Sequence, residues 1–208
     1  PEGAERGVEG DPGHREETRR ERQRGGADRA RRRDDCRRFS YASIGNGSLS
    51  HLAMEAINQI TGAKMVHVPY PATPAAMTAI IRGDVQIGML PAIAVTPHAA
   101  SGAVKILAVS TAKRSPYLPS IPTLKEAGID VEADAWNGLI APARTPEPIV
   151  ARIRREVVET IGTSAIRDKL AAQLMEPVGS TPEEFRARIE AEISRWEPVI
   201  RSADIKVN

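Results

Sequence analysis

The chain has 208 residues, of which 41% are hydrophobic and only 3% aromatic, which allows one or two domains with a core of Ala, Val, Ile and Leu rather than of rings. A formal net charge of +2 gives no field strong enough to select a polyanionic partner. The single cysteine, Cys36, excludes an internal disulfide and a cysteine-rich metal site, and no apolar run approaches the roughly 20 residues of a membrane-spanning helix.

Residues 1–38 mix Arg, Glu, Asp and Gly with hardly any aliphatic residue and no Lys. Such a segment buries too little apolar area to offset its ordering entropy, so disorder is expected. Arg31-Arg32-Arg33 and Arg37-Arg38 would suit a phosphate-binding arm, but the segment carries nearly as many acids as bases, and no basic surface continues it. Nucleic acid is therefore not an expected partner. The segment also lacks the apolar core of a secretory signal.

From Phe39 onward short apolar runs alternate with helical patterns, the texture of an α/β domain. Tyr41-Ala-Ser-Ile-Gly-Asn-Gly-Ser48 reads as a strand end entering a small-residue turn and then a helix. Gly45 and Gly47 let backbone approach a ligand, Asn46 tolerates left-handed torsions, and Ser48 suits the cap. The first N–H groups of that helix and its dipole would face a carboxylate or phosphate. Leu49, Leu52, Ala53, Ala56, Ile57 and Ile60 share one helical face that stops at Gly62, and Met65 to Val68 reads as a buried strand. Thr73-Pro74 reads as a cap and first-turn pair for a helix ending at Gly83. A strand at Val85 to Leu90, a short helix from Pro91 to near Gly102 and a strand at Val104 to Ser110 follow. Three strand-to-helix units in this order favour a mostly parallel, doubly wound sheet.

A proline-punctuated segment spans Thr111 to Thr123, with a short helix expected at Leu124 to Ala127 and a strand at Ala135 to Ala141. Thr145 is the expected cap of a helix that lines Ile149, Ile153, Val157 and Ile161 on one face and closes at Gly162. Ala165 to Leu174 reads as another helix. Thr181-Pro182-Glu183-Glu184 is a capping box opening the last, which should bury Phe185, Ile189, Ile193 and Trp196.

Of the histidines, His51 lies one turn after Ser48, but no G-x-S-x-G elbow surrounds that serine and no orienting acid is evident, so a packing or helix-orienting role is favoured over a nucleophile pair. His67 and His98 have no metal-ligand spacing. Trp136 and Trp196 read as core or hinge anchors. A phosphate-handling enzyme lacks a Walker lysine after the glycines and an acid pair for a metal. A regulator's effector domain would share the architecture, yet no helix-turn-helix precedes residue 39.

With the elements placed, the chain resembles the Bug family, the periplasmic solute-binding receptors of tripartite tricarboxylate transporters (TctC-like). The resemblance rests on Tyr41-Ala-Ser-Ile-Gly-Asn-Gly-Ser48 with His51-Leu52, Val66-His-Val-Pro-Tyr70, Gly83-Asp-Val85, Pro97-His98, Leu107-Ala-Val-Ser110 and Ala112-Lys-Arg-Ser-Pro116. It continues through Pro119-Ser-Ile-Pro-Thr123, Glu126-Ala-Gly128, Trp136-Asn-Gly-Leu139, Ala141-Pro142 and Glu176-Pro-Val-Gly-Ser-Thr-Pro-Glu183, covering about residues 39 to 202.

The resemblance implies a type II-like periplasmic-binding-protein fold: one doubly wound ligand-binding lobe at 39–135, and at 136–208 the returning helical part of an incomplete second lobe. It implies a non-enzymatic receptor for a small carboxylate, working with the membrane components of a tripartite transporter, with no cofactor and no metal. The ligand-binding role carries over to Ser43, Gly45, Asn46, Gly47 and Ser48, and to Thr73 in a second loop, Tyr70-Pro71-Ala72-Thr73, which lacks the Lys-Gly pair often found after that tyrosine. Residues 1–38 match nothing in the family, which suggests out-of-frame translation of a GC-rich gene in place of the family's signal peptide and first-lobe sheet, and an impaired receptor. Reading the upstream DNA in its other frames tests this.

Overall fold

The structure, a computed structural model, describes residues 39–206; the disorder expected of residues 1–38, and Cys36, lie outside the described residues. The central strand is β1 (Ser40–Ser43), flanked by β2 (Val66–Pro69) and β3 (Ile87–Gly88) in a parallel sheet of order β2-β1-β3. Ser40 through Ser43 pair with Val66 through Pro69, and Tyr41 and Ala42 with Ile87 and Gly88. Parallel neighbours require crossovers, which helices α1 (Leu49–Thr61) and α2 (Thr73–Arg82) provide.

Alternation along β1 assigns the two faces. Ala42 packs with Ala76, Ala79 and Val85 on the α2 side. Tyr41 points the other way, its phenol donating to Glu55 Oε1 of α1 at 2.5 Å. Helices on both faces make the sheet doubly wound, as expected from the order of elements. Gly62 and Gly83 close α1 and α2 in the left-handed conformation, at φ of 68° and 78°. α3 (Ala92–Ala100) follows β3.

Three more helices follow: α4 (Glu147–Gly162), α5 (Ser164–Ala172) and α6 (Pro182–Ser202). α6 opens with the expected capping box, Thr181 Oγ1 accepting from Glu184 N at 3.1 Å and Glu184 Oε2 from Thr181 N at 2.8 Å. Its far end returns to α1. Trp196 and Val199 join Leu52, Ala53 and Ala56, together with Val131 and Ala133, in one buried cluster. Burying each large apolar side chain stabilises by about 1.5–3 kcal/mol, so this seam outweighs the exposed Gln59 Nε2 to Ser202 Oγ hydrogen bond beside it, worth about 1 kcal/mol net.

Several expected elements differ. Val104 to Ser110 is not a strand; it contributes one parallel bridge, Val109 to Thr123, and Leu107 is 60% exposed. Only Ile87 and Gly88 of the expected Val85 to Leu90 strand pair, and Ala135 to Ala141 is irregular, with Ile140 91% exposed. The physical reason is common to them: β-propensity acts only where a neighbouring strand offers a ladder. Leu124 to Ala127 forms turns rather than a helix. Pro146 rather than Thr145 occupies the cap position of α4, and Gly162 is its last residue rather than its stop. Among the described residues α4 and α5 bury none fully; Ile149 and Ile153 are exposed, as is Ile193 on α6, because no second layer covers that side. Trp196 is the buried anchor expected, whereas Phe185 and Ile189 are half-buried.

If the seam between α1 and α6 is a principal support, Trp196→Ala lowers the unfolding free energy by about 3–5 kcal/mol. Urea denaturation followed by circular dichroism measures this, and a loss below about 1 kcal/mol would mean that α6 adds little to the domain.

Candidate functional site

The carboxyl ends of β1 and β2 lie side by side, and Tyr70 N donates to Ser43 O at 3.0 Å just past the ladder. The turn Ile44–Ser48 and the turn Tyr70–Thr73 therefore leave the same edge of the sheet, where open α/β sheets place their ligands.

Within the first turn almost every polar group is committed. Gly45 (φ 121°) and Gly47 (φ 72°) hold positive torsions that the turn requires. Ser43, fully buried, donates from Oγ to Gly45 O at 3.1 Å and accepts from Gly45 N at 3.3 Å. Ser50 Oγ accepts from Ile44 N at 3.0 Å. Ser48 caps α1: its Oγ accepts from His51 N at 3.4 Å and donates to Gly45 O at 2.7 Å. Gly47 N donates to His51 Nδ1 at 3.1 Å. Among the described residues, the N–H groups of Asn46, Leu49 and Ser50 take no hydrogen-bond partner, so three donors at the positive end of α1 remain for an anion.

Beneath the turn lies a polar cluster. His67, opposite Tyr41 in the β1–β2 register, places Nε2 2.6 Å from Ser43 Oγ. Because that hydroxyl already donates to Gly45 O, the imidazole is the donor here, a neutral ring with its hydrogen on Nε2. His51 stacks on His67 with centroids 3.7 Å apart and planes within 13°, and Tyr41 stacks on His67 at 5.1 Å. Burial holds the His51 pKa below the ordinary histidine range, against the pull of Glu55. His67 is pushed down to about 4 by burial and then by His51, with Glu55 opposing. The Tyr41 phenol is raised by burial and by its bond to Glu55, so it stays a donor. A cleft of about 440 Å³ opens beside this cluster, lined by Asn46, His51, Glu55 and His67 and by Ala203 to Lys206 of the segment after α6.

Of the six residues expected to bind ligand, Ser43, Gly45, Asn46, Gly47 and Ser48 form one continuous turn. Only Asn46 of the six reaches the cleft, and its Nδ2 is spent on Lys206 O. Thr73 is not a cap: Ala72 takes that position without a side-chain bond, and Thr73 is the first residue of α2, half-buried on the neighbouring turn. The backbone break falls one residue earlier than the Thr-Pro pair suggests, since Pro74 is tolerated anywhere in the first turn. His51 is packed as expected, buried and stacked on His67, and a Ser–His contact does form, but to Ser43 from His67. Aligning the two apolar strands in parallel, with His67 facing Tyr41, was the signal that would have found it.

Neutral His67 in the fold, against an unfolded value of about 6.5, means that the unfolded chain binds the extra proton between those pH values. Stability should therefore rise from about pH 4 to about pH 6.5 and flatten above, and His67→Gln should reduce that slope. Urea midpoints measured across this range check it; equal slopes in the two proteins would place His67 outside the folding linkage.

Comparison with known proteins gives the context. The family model for the tripartite tricarboxylate transporter family receptor matches residues 30–205, so the likeness begins within the segment 1–38 that was expected to match nothing. Protein BugT of Bordetella pertussis is 32% identical over 169 residues, 81% of this chain and 52% of BugT. Among solved structures, R. palustris Rpa4515 with adipate is 34% identical with a TM-score of 0.72, over 81% of this chain and 57% of that one. MatC from Rhodopseudomonas palustris with bound malate is 30% identical with a TM-score of 0.64, over 79% and 57%. The chain spans about half the length of the curated relatives it matches. The α/β architecture around β1 is shared with solved solute-binding proteins, and the match runs through nearly every described residue: the chain belongs to the tripartite tricarboxylate transporter receptor family.

Proposed function

We propose that this chain is a solute-binding receptor for a small carboxylate, acting outside the cytoplasm with the membrane components of a tripartite transporter, and binding its ligand without transforming it. The observation that carries the reading is the set of N–H groups of Asn46, Leu49 and Ser50, in and just before the first turn of α1, that take no partner among the described residues, beside the turn that leads into Thr73. A carboxylate offers two acceptor oxygens, and backbone donors at a helix N-terminus meet them without a desolvated lysine or arginine. Adipate and malate in two solved relatives support the ligand class.

In this reading residues 39–135 form the ligand-binding lobe, with Ser43, Gly45, Asn46, Gly47, Ser48 and Thr73 around the ligand, and residues 136–208 belong to the other lobe. The turn supplies one wall. Receptors of this architecture gain affinity by closing a second wall over the ligand and excluding water. These 208 residues carry one such wall, and their titration with adipate and with malate, followed by amide shifts, should give dissociation constants on the order of millimolar. Micromolar affinity would show that a single wall suffices. Shifts that spare residues 43 to 50 altogether would remove the carboxylate assignment.

Gly47→Val tests the turn itself. At φ 72° a β-branched residue costs about 1–2 kcal/mol or more, so adipate affinity should fall about tenfold or further. Unchanged affinity would make the turn a structural element only.

A further inference from the structure

We propose that His51 is a positioning residue of the carboxylate turn: its Nδ1 lone pair holds the Gly47 N–H away from a ligand, and a proton placed on that nitrogen hands the amide to the carboxylate. This rests on the receptor reading above. The Gly47 N–H donates to Nδ1 at 3.1 Å, so Nδ1 bears no hydrogen and the ring's proton sits on Nε2. An imidazolium carries hydrogens on both nitrogens and accepts nothing. Charged His51 and the Gly47 contact therefore exclude one another, and the only exchange is a solvent proton for a hydrogen bond.

The ring has no easy alternative position. It is 6% exposed, stacks on His67 at 3.7 Å and faces the Tyr41 ring at 6.4 Å. The titratable and charged groups around it are Tyr41 from β1, Glu55 one turn along α1, His67 from β2, and Asp204 and Lys206, which line the same cleft on the segment after α6 and pair with each other at 3.2 Å. Glu55 draws a proton toward His51 while burial resists it, and His67, held down to about 4, stays neutral as His51 begins to charge. Once charged, His51 releases Gly47 N–H to join the donors of Asn46, Leu49 and Ser50, and it adds a positive charge behind them. One additional hydrogen bond to a carboxylate is worth about fivefold in affinity or more. By reciprocity the bound carboxylate raises the affinity of His51 for its proton by the same factor.

The test uses the full chain, with His51→Asn, whose Oδ1 takes the place of Nδ1 but cannot be protonated, and His51→Gln, which moves the acceptor. Without any carboxylate, the Gly47 amide shift should follow the His51 ring titration in the parent with a shared midpoint. It should be flat with pH in His51→Asn, and displaced at every pH in His51→Gln. With adipate as probe, the parent should bind about fivefold tighter than His51→Asn below the His51 midpoint and equally above it; the comparison cancels the titration of adipate itself. A Gly47 shift that ignores His51 in a chain that binds adipate overturns the positioning role alone. A Gly47 shift that follows His51 in a chain that binds neither adipate nor malate overturns the carboxylate reading and the positioning role with it. Should His51→Gln fail to fold, the parent and His51→Asn decide the question by themselves.

Discussion

The arrangement depends on β1 being paired on both sides. A strand whose residues Tyr41, Ala42 and Ser43 are wholly buried must satisfy its N–H and C=O groups with backbone, since water cannot reach them. β2 and β3 meet that demand, and the ladder extends past the strand ends through Val66 N to Phe39 O and Tyr70 N to Ser43 O. Parallel pairing then brings the turns after β1 and β2 to one edge. The position of the site follows from that geometry rather than from any single side chain.

The same strand carries the polar layer that supports the turn. On the α1 face of β1, Tyr41 and Ser43 alternate with Ala42 on the other, and each finds a partner: Tyr41 in Glu55, Ser43 in His67 and in the Gly45 backbone. In a poorly solvated interior an unmet hydroxyl costs about 1–3 kcal/mol, so a complete network fixes one conformation of the turn. Gly88 is part of the same fit on the opposite face. A Cβ there would lie 2.8 Å from Ile80 Cδ1 and 3.2 Å from Ala42 O, so a larger residue would displace the end of Ile80 and crowd the Ala42 carbonyl.

What the sequence revealed was the chemistry that acts over a few residues. The Ser48 cap, the left-handed Gly62 and Gly83, and the capping box of Thr181 and Glu184 depend on neighbours within one turn, and all appear where expected. The turn from Ser43 to Ser48 was legible for the same reason. Strands were less so, because Val104 to Ser110 and Ala135 to Ala141 have the composition of strands and lack the partners that would make them so. The contact of His67 with Ser43 spans 24 positions and depends on register, which composition does not report. Thr73 was misplaced by one residue because a helix start is set by the backbone break, here at Ala72, and side-chain preference only biases it.

Asn46 donates from its amide to the carbonyl of Lys206, 160 positions along the chain. The turn is thereby tethered by one side-chain hydrogen bond to the strap leaving the Trp196 helix. A rearrangement of the turn has a direct path to that strap, so a solvatochromic dye attached beside Lys206 would report on it.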